Sequence, residues 1–294
     1  MIALRPRSLG EVLDVGVTLA VRNFIGLSLV YLLSDVILEL INTLANPSVH
    51  TSCARVVGWG HWIGLHLPLQ ACGGEPRTRG VSAGAVADLL AFLVIYPLGF
   101  SATLVAATRA AMGSPISIWG SYQTAVRRIV PVVGVEAVIL AALLAVMAAA
   151  ALIGSLRPGP AAASVVILGL GIAGFVSILP ATYALMAVLI EERRLWDALN
   201  LGRRRAFGSR FDFRRTLFVS GFFTAVSVTD FFLNELVEGG AFLWSHSKVV
   251  IVALGVVHDS IYMALIAGVS VAVWIDARVR QDGLDIALQL GAPA

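Results

Sequence analysis

Charged residues are scarce in this chain of 294 residues, because Asp, Glu, Lys and Arg together make up 13% of it. That is roughly half the fraction found in soluble proteins. Hydrophobic residues make up 58%, and the mean hydropathy is +0.88. The net charge of +3 does not indicate nucleic acid as a partner, because the arginines lie beside apolar runs and form no separate basic domain. The composition therefore excludes a soluble globular protein and indicates a membrane protein.

Motifs of the common enzyme classes are also lacking. The sequence contains no GxSxG, Walker A or HExxH pattern, and no GxGxxG in a strand-to-helix setting. The glycine-containing stretch GLGIAGF lies inside an apolar run, where small residues favour close helix packing. We therefore predict no catalytic residues and no cofactor, and we expect a protein that is not an enzyme.

Cysteine is nearly absent, and both copies, Cys53 and Cys72, fall in a loop that the topology below places outside the cytoplasm. A disulfide or two unpaired side chains would each fit, because spacing alone does not show that the Cα atoms approach within ~7 Å. His50, His61 and His66 of the same loop are ligand types for zinc or copper. No CxxC or HxxxH pairing accompanies them, so we predict no metal site.

Six long apolar runs account for most of the chain. At ~1.5 Å rise per residue, each is long enough to cross a hydrocarbon core of ~30 Å. The runs predict an all-α protein with six transmembrane helices, at about residues 24–45, 86–107, 131–156, 161–190, 216–237 and 249–275. A short apolar stretch inside the loop 46–84 fits an interfacial segment better than a seventh span. Glu11 and Asp14 interrupt the N-terminal segment, so no cleaved signal peptide is expected.

The arginines fix the predicted topology. Residues 191–215 hold eight of the 21 Lys and Arg residues, and such a loop stays in the cytoplasm. With six spans, 16 basic residues fall on the cytoplasmic side and five outside. Both termini are therefore predicted to be cytoplasmic, including a tail at 277–294.

An internal repeat divides this single membrane domain, 1–294, into three units, at about 8–107, 115–190 and 193–276. Each unit is predicted to be a cytoplasmic interfacial amphipathic helix followed by two spans. Pro97 and Pro180 lie inside the second span of the first two units. The predicted polar stripes of the short helices are Glu11, Asp14, Thr18 and Arg22, then Ser117, Ser121, Thr124 and Arg128, then Arg193, Asp197, Asn200 and Arg204. Opposite the last stripe the predicted apolar face holds Leu195, Trp196 and Leu199.

Ionisable side chains inside the predicted spans are the candidate functional residues, because each costs ~2.5 to 3.5 kcal/mol at a helix centre. The candidate polar cluster, roughly 9 to 15 Å from the outer boundary by helix rise, consists of Asp35, Glu39, Asp230, His258 and Asp259. Glu136 is predicted to lie alone in the inner third. The acids either surround a polar cavity open to the outside or simply bond helices together.

The segments 4–24, 108–131, 189–211 and 262–288 resemble a prokaryotic family of membrane proteins named after the membrane domain of glycerophosphoryl diester phosphodiesterase. The most specific part is the terminal pattern Asp276, Arg278, Arg280, Gly283, Leu284 and Asp285, although Trp274 and Ile275 stand where a tyrosine pair is common. The resemblance implies a membrane architecture in a prokaryotic inner membrane. Nothing in the chain resembles the phosphodiesterase barrel, so no hydrolase activity is implied.

Two functional hypotheses follow. The first is a non-enzymatic subunit or scaffold of a membrane complex, whose partners are the lipid bilayer and other membrane proteins. The alternative is a transporter or channel-like protein that uses the acidic layer in the outer leaflet.

Overall fold

Residues 7–45, 83–156, 160–245 and 248–283 are described by the computed structural model, and every regular element in these ranges is an α-helix. Three short helices alternate with three pairs of long ones. The helices are α1 (Leu9–Arg22), α2 (Phe24–Ala45), α3 (Ala83–Ala111), α4 (Ile118–Arg127), α5 (Ile129–Leu156), α6 (Pro160–Leu189), α7 (Leu195–Phe207), α8 (Arg210–Ser245) and α9 (Lys248–Asp282).

The local sequence determines where the short helices begin. Ser8 and Glu11 form a capping box at α1, in which the Ser8 Oγ accepts from the Glu11 N–H and the Glu11 carboxylate accepts from the Ser8 N–H at 2.8 Å. Ser117 caps α4 by accepting from the Gly120 N–H at 3.2 Å. Each polar residue thus satisfies backbone donors that the first helical turn leaves without partners.

Among the described residues, three helices are long and apolar enough to cross a membrane. The candidate spans are Phe24–Ile41 in α2, Leu93–Ala111 in α3 and Ala253–Asp282 in α9. Shorter apolar stretches occur at Ile129–Ala142 in α5 and Gly174–Leu189 in α6. The protein is thus all-helical in its described part and carries several apolar helices, as expected of a multi-pass membrane protein. Pro97 and Pro180 lie inside α3 and α6, as predicted.

The helices pack in a cyclic order. The long helices associate as the pairs α2 with α3, α5 with α6, and α8 with α9. Each short helix packs on the second long helix of the preceding pair, so α4 contacts α3, α7 contacts α6, and α1 contacts α9 at the other end of the chain. The first long helix of each pair follows the same rule, since α5 also contacts α3, α8 contacts α6 and α2 contacts α9. The first and the last of the described helices are therefore neighbours.

Small residues let the short helices approach the long ones closely. A Cβ on Gly16 would lie 2.6 Å from the Val269 Cα, and one on Gly202 would lie 2.4 Å from the Pro180 carbonyl oxygen. Both glycines are the eighth residue of their helix, and α1 and α7 bury the same four positions. These are Val12, Gly16, Leu19 and Ala20 in α1, and Ala198, Gly202, Arg205 and Ala206 in α7.

One detail of the predicted helix faces is wrong. Ser121 was assigned to the polar stripe of α4, but it is fully buried, because the contact with α3 is made through small side chains, here Ser121 and Ala125. Trp196, which was assigned to the apolar face of α7, is 72% exposed and projects away from the bundle.

Candidate functional site

Helices α2, α8 and α9 carry the ionisable residues of the predicted cluster into the bundle interior. Asp35 is only 5% exposed and Asp230 only 7% exposed. Asp259, His258 and Glu39 are half-buried. Because α9 packs against both α2 and α8, it is the helix that joins the two buried acids.

The closest pair in the cluster is Asp230 with His258. The His258 Nε2 lies 2.8 Å from the Asp230 Oδ1, between α8 and α9. Both side chains are largely buried, so a protonated imidazole would neutralise the aspartate in a region of low dielectric. His258 is therefore close enough to Asp230 to offset part of the acidic charge of the cluster.

Three tyrosines connect the acids, and the sequence analysis missed them. Tyr31 of α2 packs edge-on against Tyr96 of α3, with ring centroids 6.3 Å apart and an interplanar angle of 85°. Both tyrosines interact electrostatically with Asp35 and Asp259. A signal was present for Tyr31, because it precedes Asp35 by four residues and so shares its helix face.

Tyr262 of α9 extends the connection to α8. Its hydroxyl lies 2.8 Å from the Ser227 Oγ, and the side chain interacts electrostatically with Asp230 and Asp259. Tyr262 follows Asp259 by three residues, which again places both on one face. We use the name polar cluster, proposed below to be intramembrane, for Asp35, Asp230, His258 and Asp259 together with the tyrosines Tyr31, Tyr96 and Tyr262.

Glu136 of α5, predicted to lie apart from the other acids, is buried and interacts electrostatically with Tyr96 of α3. Tyr96 also interacts with Asp35 and Asp259. Sequence position gave a depth for Glu136 but no information about which helix faces it.

The bundle is tightly packed beside this cluster. A Cβ on Gly99 of α3 would lie 1.8 Å from the Ser34 Oγ of α2, so the two helices touch next to Asp35. The Ser34 hydroxyl itself donates to the Tyr31 carbonyl oxygen at 2.8 Å. Asp35 is thus surrounded by protein.

A second group of charges lies where the start of α1 meets the ends of α6 and α9 and the start of α8. Arg215 of α8 is 0% exposed, and its guanidinium lies 3.2 Å from the Asp276 Oδ2 and 3.5 Å from the Asp212 Oδ1. Asp276 also accepts from the Arg280 Nε at 2.9 Å and, at its other oxygen, from the Arg7 backbone N–H at 3.1 Å. Asp276 therefore joins the start of the chain to α8 and α9.

Arg205 of α7 is the centre of the adjoining ion pairs. Its buried guanidinium donates to Glu191, at the end of α6, and to Asp282, at the end of α9. The Trp274 Nε1 donates to the same glutamate at 2.9 Å. Burial alone would raise the pKa of Glu191, but the hydrogen bonds and charge of Arg205 outweigh it and hold that pKa below its ordinary value. We call the residues of these two paragraphs the ion-pair network.

Most of the terminal pattern belongs to this network or borders it. Asp276 and Arg280 are members, and the Arg278 guanidinium stacks on the Trp274 ring, 5.5 Å from its centroid. Gly283 has φ +63°, a left-handed conformation that ends α9 and favours glycine. The predicted site residue Asp285 lies outside the described residues.

The buried arginines were missed as site residues, because a basic loop of a membrane protein is ordinarily solvated. The partners of Arg205 and Arg215 are 77 and 61 residues away along the chain, which no local pattern reveals. The loop carrying Cys53, Cys72, His50, His61 and His66 also lies outside the described residues. Within the described ranges, no group of three or more His, Cys, Asp or Glu side chains could hold a metal ion.

Comparison of the chain with protein-family models, with curated proteins and with solved structures finds no match. The resemblance to the glycerophosphoryl diester phosphodiesterase membrane domain family therefore stays a prediction.

Proposed function

We propose that the chain is a six-span protein of a prokaryotic inner membrane, with both termini in the cytoplasm and three units of one short and two long helices. The order of the nine helices in the described ranges supports the three units, and so does the cyclic packing of α1, α4 and α7. The shared burial of positions four, eight, eleven and twelve in α1 and α7 also supports them. Closed in this way, the units form one rigid body within the bilayer.

We propose further that this body serves as a non-enzymatic scaffold subunit of a membrane complex. The observation that carries this proposal is the ion-pair network, which ties residue 7 and the ends of α6, α7, α8 and α9 together through buried charges. Breaking a buried ion pair costs ~3 to 5 kcal/mol, so the cytoplasmic end is held in one arrangement. Helix ends held in one arrangement suit the docking of partner proteins better than they suit a transporter, which must change conformation.

Bulky side chains on the short helices are available for partners. Trp119 of α4 is 79% exposed and Trp196 of α7 is 72% exposed. Tryptophan is enriched where protein partners dock and also at the membrane interface. We assign Trp196, beside the ion-pair network, to partner contact.

The proposal is tested by purification of the full tagged chain from its own membranes in mild detergent, followed by mass spectrometry. A partner should copurify in stoichiometric amount, and the Trp196→Ala variant should lose most of it. Phe218→Ala is the matched control, because Phe218 is also an exposed aromatic residue but belongs to the long helix α8. A chain that purifies alone under every mild condition would contradict the scaffold role.

A transporter or channel-like function is the second candidate, and the polar cluster favours it. The residues of the cluster come from four long helices, α2, α3, α8 and α9. Acids buried in a membrane commonly belong to cation or proton pathways. Cation flux into proteoliposomes that falls in both Asp35→Asn and Asp230→Asn, while the variants keep wild-type stability, would support this function. Absence of flux in the wild-type protein would exclude it.

A further inference from the structure

An apolar groove of about 510 Å³ runs between α2, α3 and α4. Leu33 and Ile37 of α2 and Ile95 and Leu98 of α3 form its walls, and all four belong to candidate membrane spans. Leu33 and Ile37 are both partly exposed, so the groove opens to the outside of the bundle and not to its core. A hydrocarbon chain of the bilayer therefore has direct access to it.

Helix α4 closes one side of the groove, and its position is fixed by two hydrogen bonds. The Tyr122 hydroxyl donates to the Val30 carbonyl oxygen at 2.7 Å, and the Arg109 guanidinium donates to the Gly120 carbonyl oxygen at 3.4 Å. Both bonds cross from α4 to a long helix. The groove is thus a built feature of the fold and not a gap left by a loosely attached helix.

The polar rim of the groove is positively charged. Gln123 and Arg127, both on α4, border the groove, and Arg127 is exposed. Arg127 has no ion pair or hydrogen bond from its guanidinium within the described part of the chain. No Asp or Glu occurs between Asp88 and Glu136 in the sequence, so no acid of this segment offsets the charge. Trp119 at the same rim has the amphipathic ring that favours the headgroup level.

We propose that this groove is a binding site for one anionic phospholipid, with the phosphate at Arg127 and an acyl chain between α2 and α3. Charge complementarity decides the occupant, because an unpaired guanidinium beside an apolar slot matches a molecule with an anionic head and a hydrocarbon tail. The inference goes beyond the scaffold role. It requires α2 and α3 to cross the bilayer, which membrane flotation of the chain tests separately.

The test is native mass spectrometry of the full chain in detergent, titrated with phosphatidylglycerol or phosphatidylcholine. The wild-type protein should bind one phosphatidylglycerol more tightly than phosphatidylcholine. Arg127→Gln should weaken phosphatidylglycerol binding about fivefold, the factor that corresponds to ~1 kcal/mol for one basic residue at an anionic surface. Arg127→Lys keeps the charge and should retain most of the affinity. Glycerol phosphate, which lacks acyl chains, should not compete.

Two further variants separate the groove from general positive charge. Ile37→Trp should fill the slot and weaken binding of both lipids, and its exposed position leaves the helix packing intact. Arg193→Gln is the matched control, because Arg193 is also exposed near the cytoplasmic side but lies away from the groove, and it should bind as the wild type does. The proposal is overturned if the two lipids bind equally, if Arg193→Gln weakens binding as much as Arg127→Gln, or if Ile37→Trp binds normally. Should Ile37→Trp fail to fold, the two arginine variants still decide.

Discussion

At the scale of single residues, the arginines of the 191–215 segment divide into two kinds. Arg193 and Arg203 are exposed, as expected for a cytoplasmic loop, whereas Arg205 and Arg215 are buried among carboxylates. Arg215 also lies over the Tyr183 ring, 5.7 Å from its centroid. A buried pair adds little net stability compared with apolar residues of the same shape, but loss of one member leaves a charge without a partner. The energetic role of these residues is therefore visible only when one of them is removed.

Asp276→Asn should lower the free energy of unfolding by about 3 to 5 kcal/mol, because Arg215 and Arg280 would lose the charge that offsets theirs. Asp14→Asn is the control, since Asp14 is exposed on α1, and it should change stability by less than about 0.5 kcal/mol. Denaturant or thermal unfolding of the purified protein in detergent measures both. Equal stability of the two variants would mean that the ion pairs of Asp276 do not stabilise the fold.

Glu191 should make the stability dependent on pH in the acid range. Because Arg205 holds its pKa below the ordinary value in the folded state, its contribution is complete above about pH 4.3, the usual pKa of an unfolded glutamate. The contribution is lost as the pH falls through the lower folded-state pKa. Unfolding measured between neutral pH and pH 3 should therefore show a decline that is shallower in Glu191→Gln.

The neighbouring Glu192 provides the control for that experiment. Its side chain is 71% exposed and pairs with Arg128 at the surface. Surface pairs contribute little, so Glu192→Gln should keep the acid-induced decline of the wild type. A decline of the same steepness in all three proteins would rule out Glu191 as its source.

At the scale of helices, the short helices pack closely along the long ones. Both α1 and α7 have a glycine at the eighth position and an alanine at the twelfth, and these small buried residues permit backbone contact. Packing through glycine is the ordinary way for membrane helices to gain van der Waals contact without a hydrophobic driving force. The position of α1 therefore depends on shape more than on the polarity of its faces.

Gly16→Ala should destabilise the protein by about 1 to 3 kcal/mol, because the new methyl group would overlap the Val269 backbone of α9. Gly10→Ala in the same helix meets no atom within 4 Å, and it should be neutral or stabilising by up to ~1 kcal/mol through helix propensity. Comparison of their unfolding midpoints in detergent isolates the packing effect. If Gly16→Ala were as stable as Gly10→Ala, α1 would not pack closely against α9 at Gly16.

At the scale of the whole molecule, the proposed topology requires the ion-pair network to face the cytoplasm. In a variant with Cys53 and Cys72 replaced by serine, a cysteine introduced by Ser209→Cys should react with an impermeant maleimide only in inverted vesicles. One introduced by Lys248→Cys, between the last two long helices, should react in intact cells. Reversed labelling would invert the membrane orientation of every helix together.

The sequence predicts where the helices lie along the chain better than it predicts which residues meet in the fold. Long apolar runs give the six long helices, and the predicted bounds of α2 at residues 24 and 45 agree with the structure, because loss of hydropathy ends a helix where the chain becomes polar. The candidate acids were found for the same reason, since a carboxylate is conspicuous inside an apolar run. Tyr31, Tyr96 and Tyr262 were missed because tyrosine belongs to both the apolar and the polar class. Partners such as Arg205 and Asp282 meet only after the chain has closed on itself.

The hydrogen bond from the Arg7 backbone to Asp276 has one further consequence for the chain. Because Arg7 lies beside Asp276, the described helices can follow one another along the chain from more than one starting point. A circular permutant that joins residue 283 to residue 7 through a flexible linker and starts within residues 112–117, between α3 and α4, would keep every helix on its present neighbour. It would also keep the number of membrane crossings in each unit, so such a permuted chain should insert and fold.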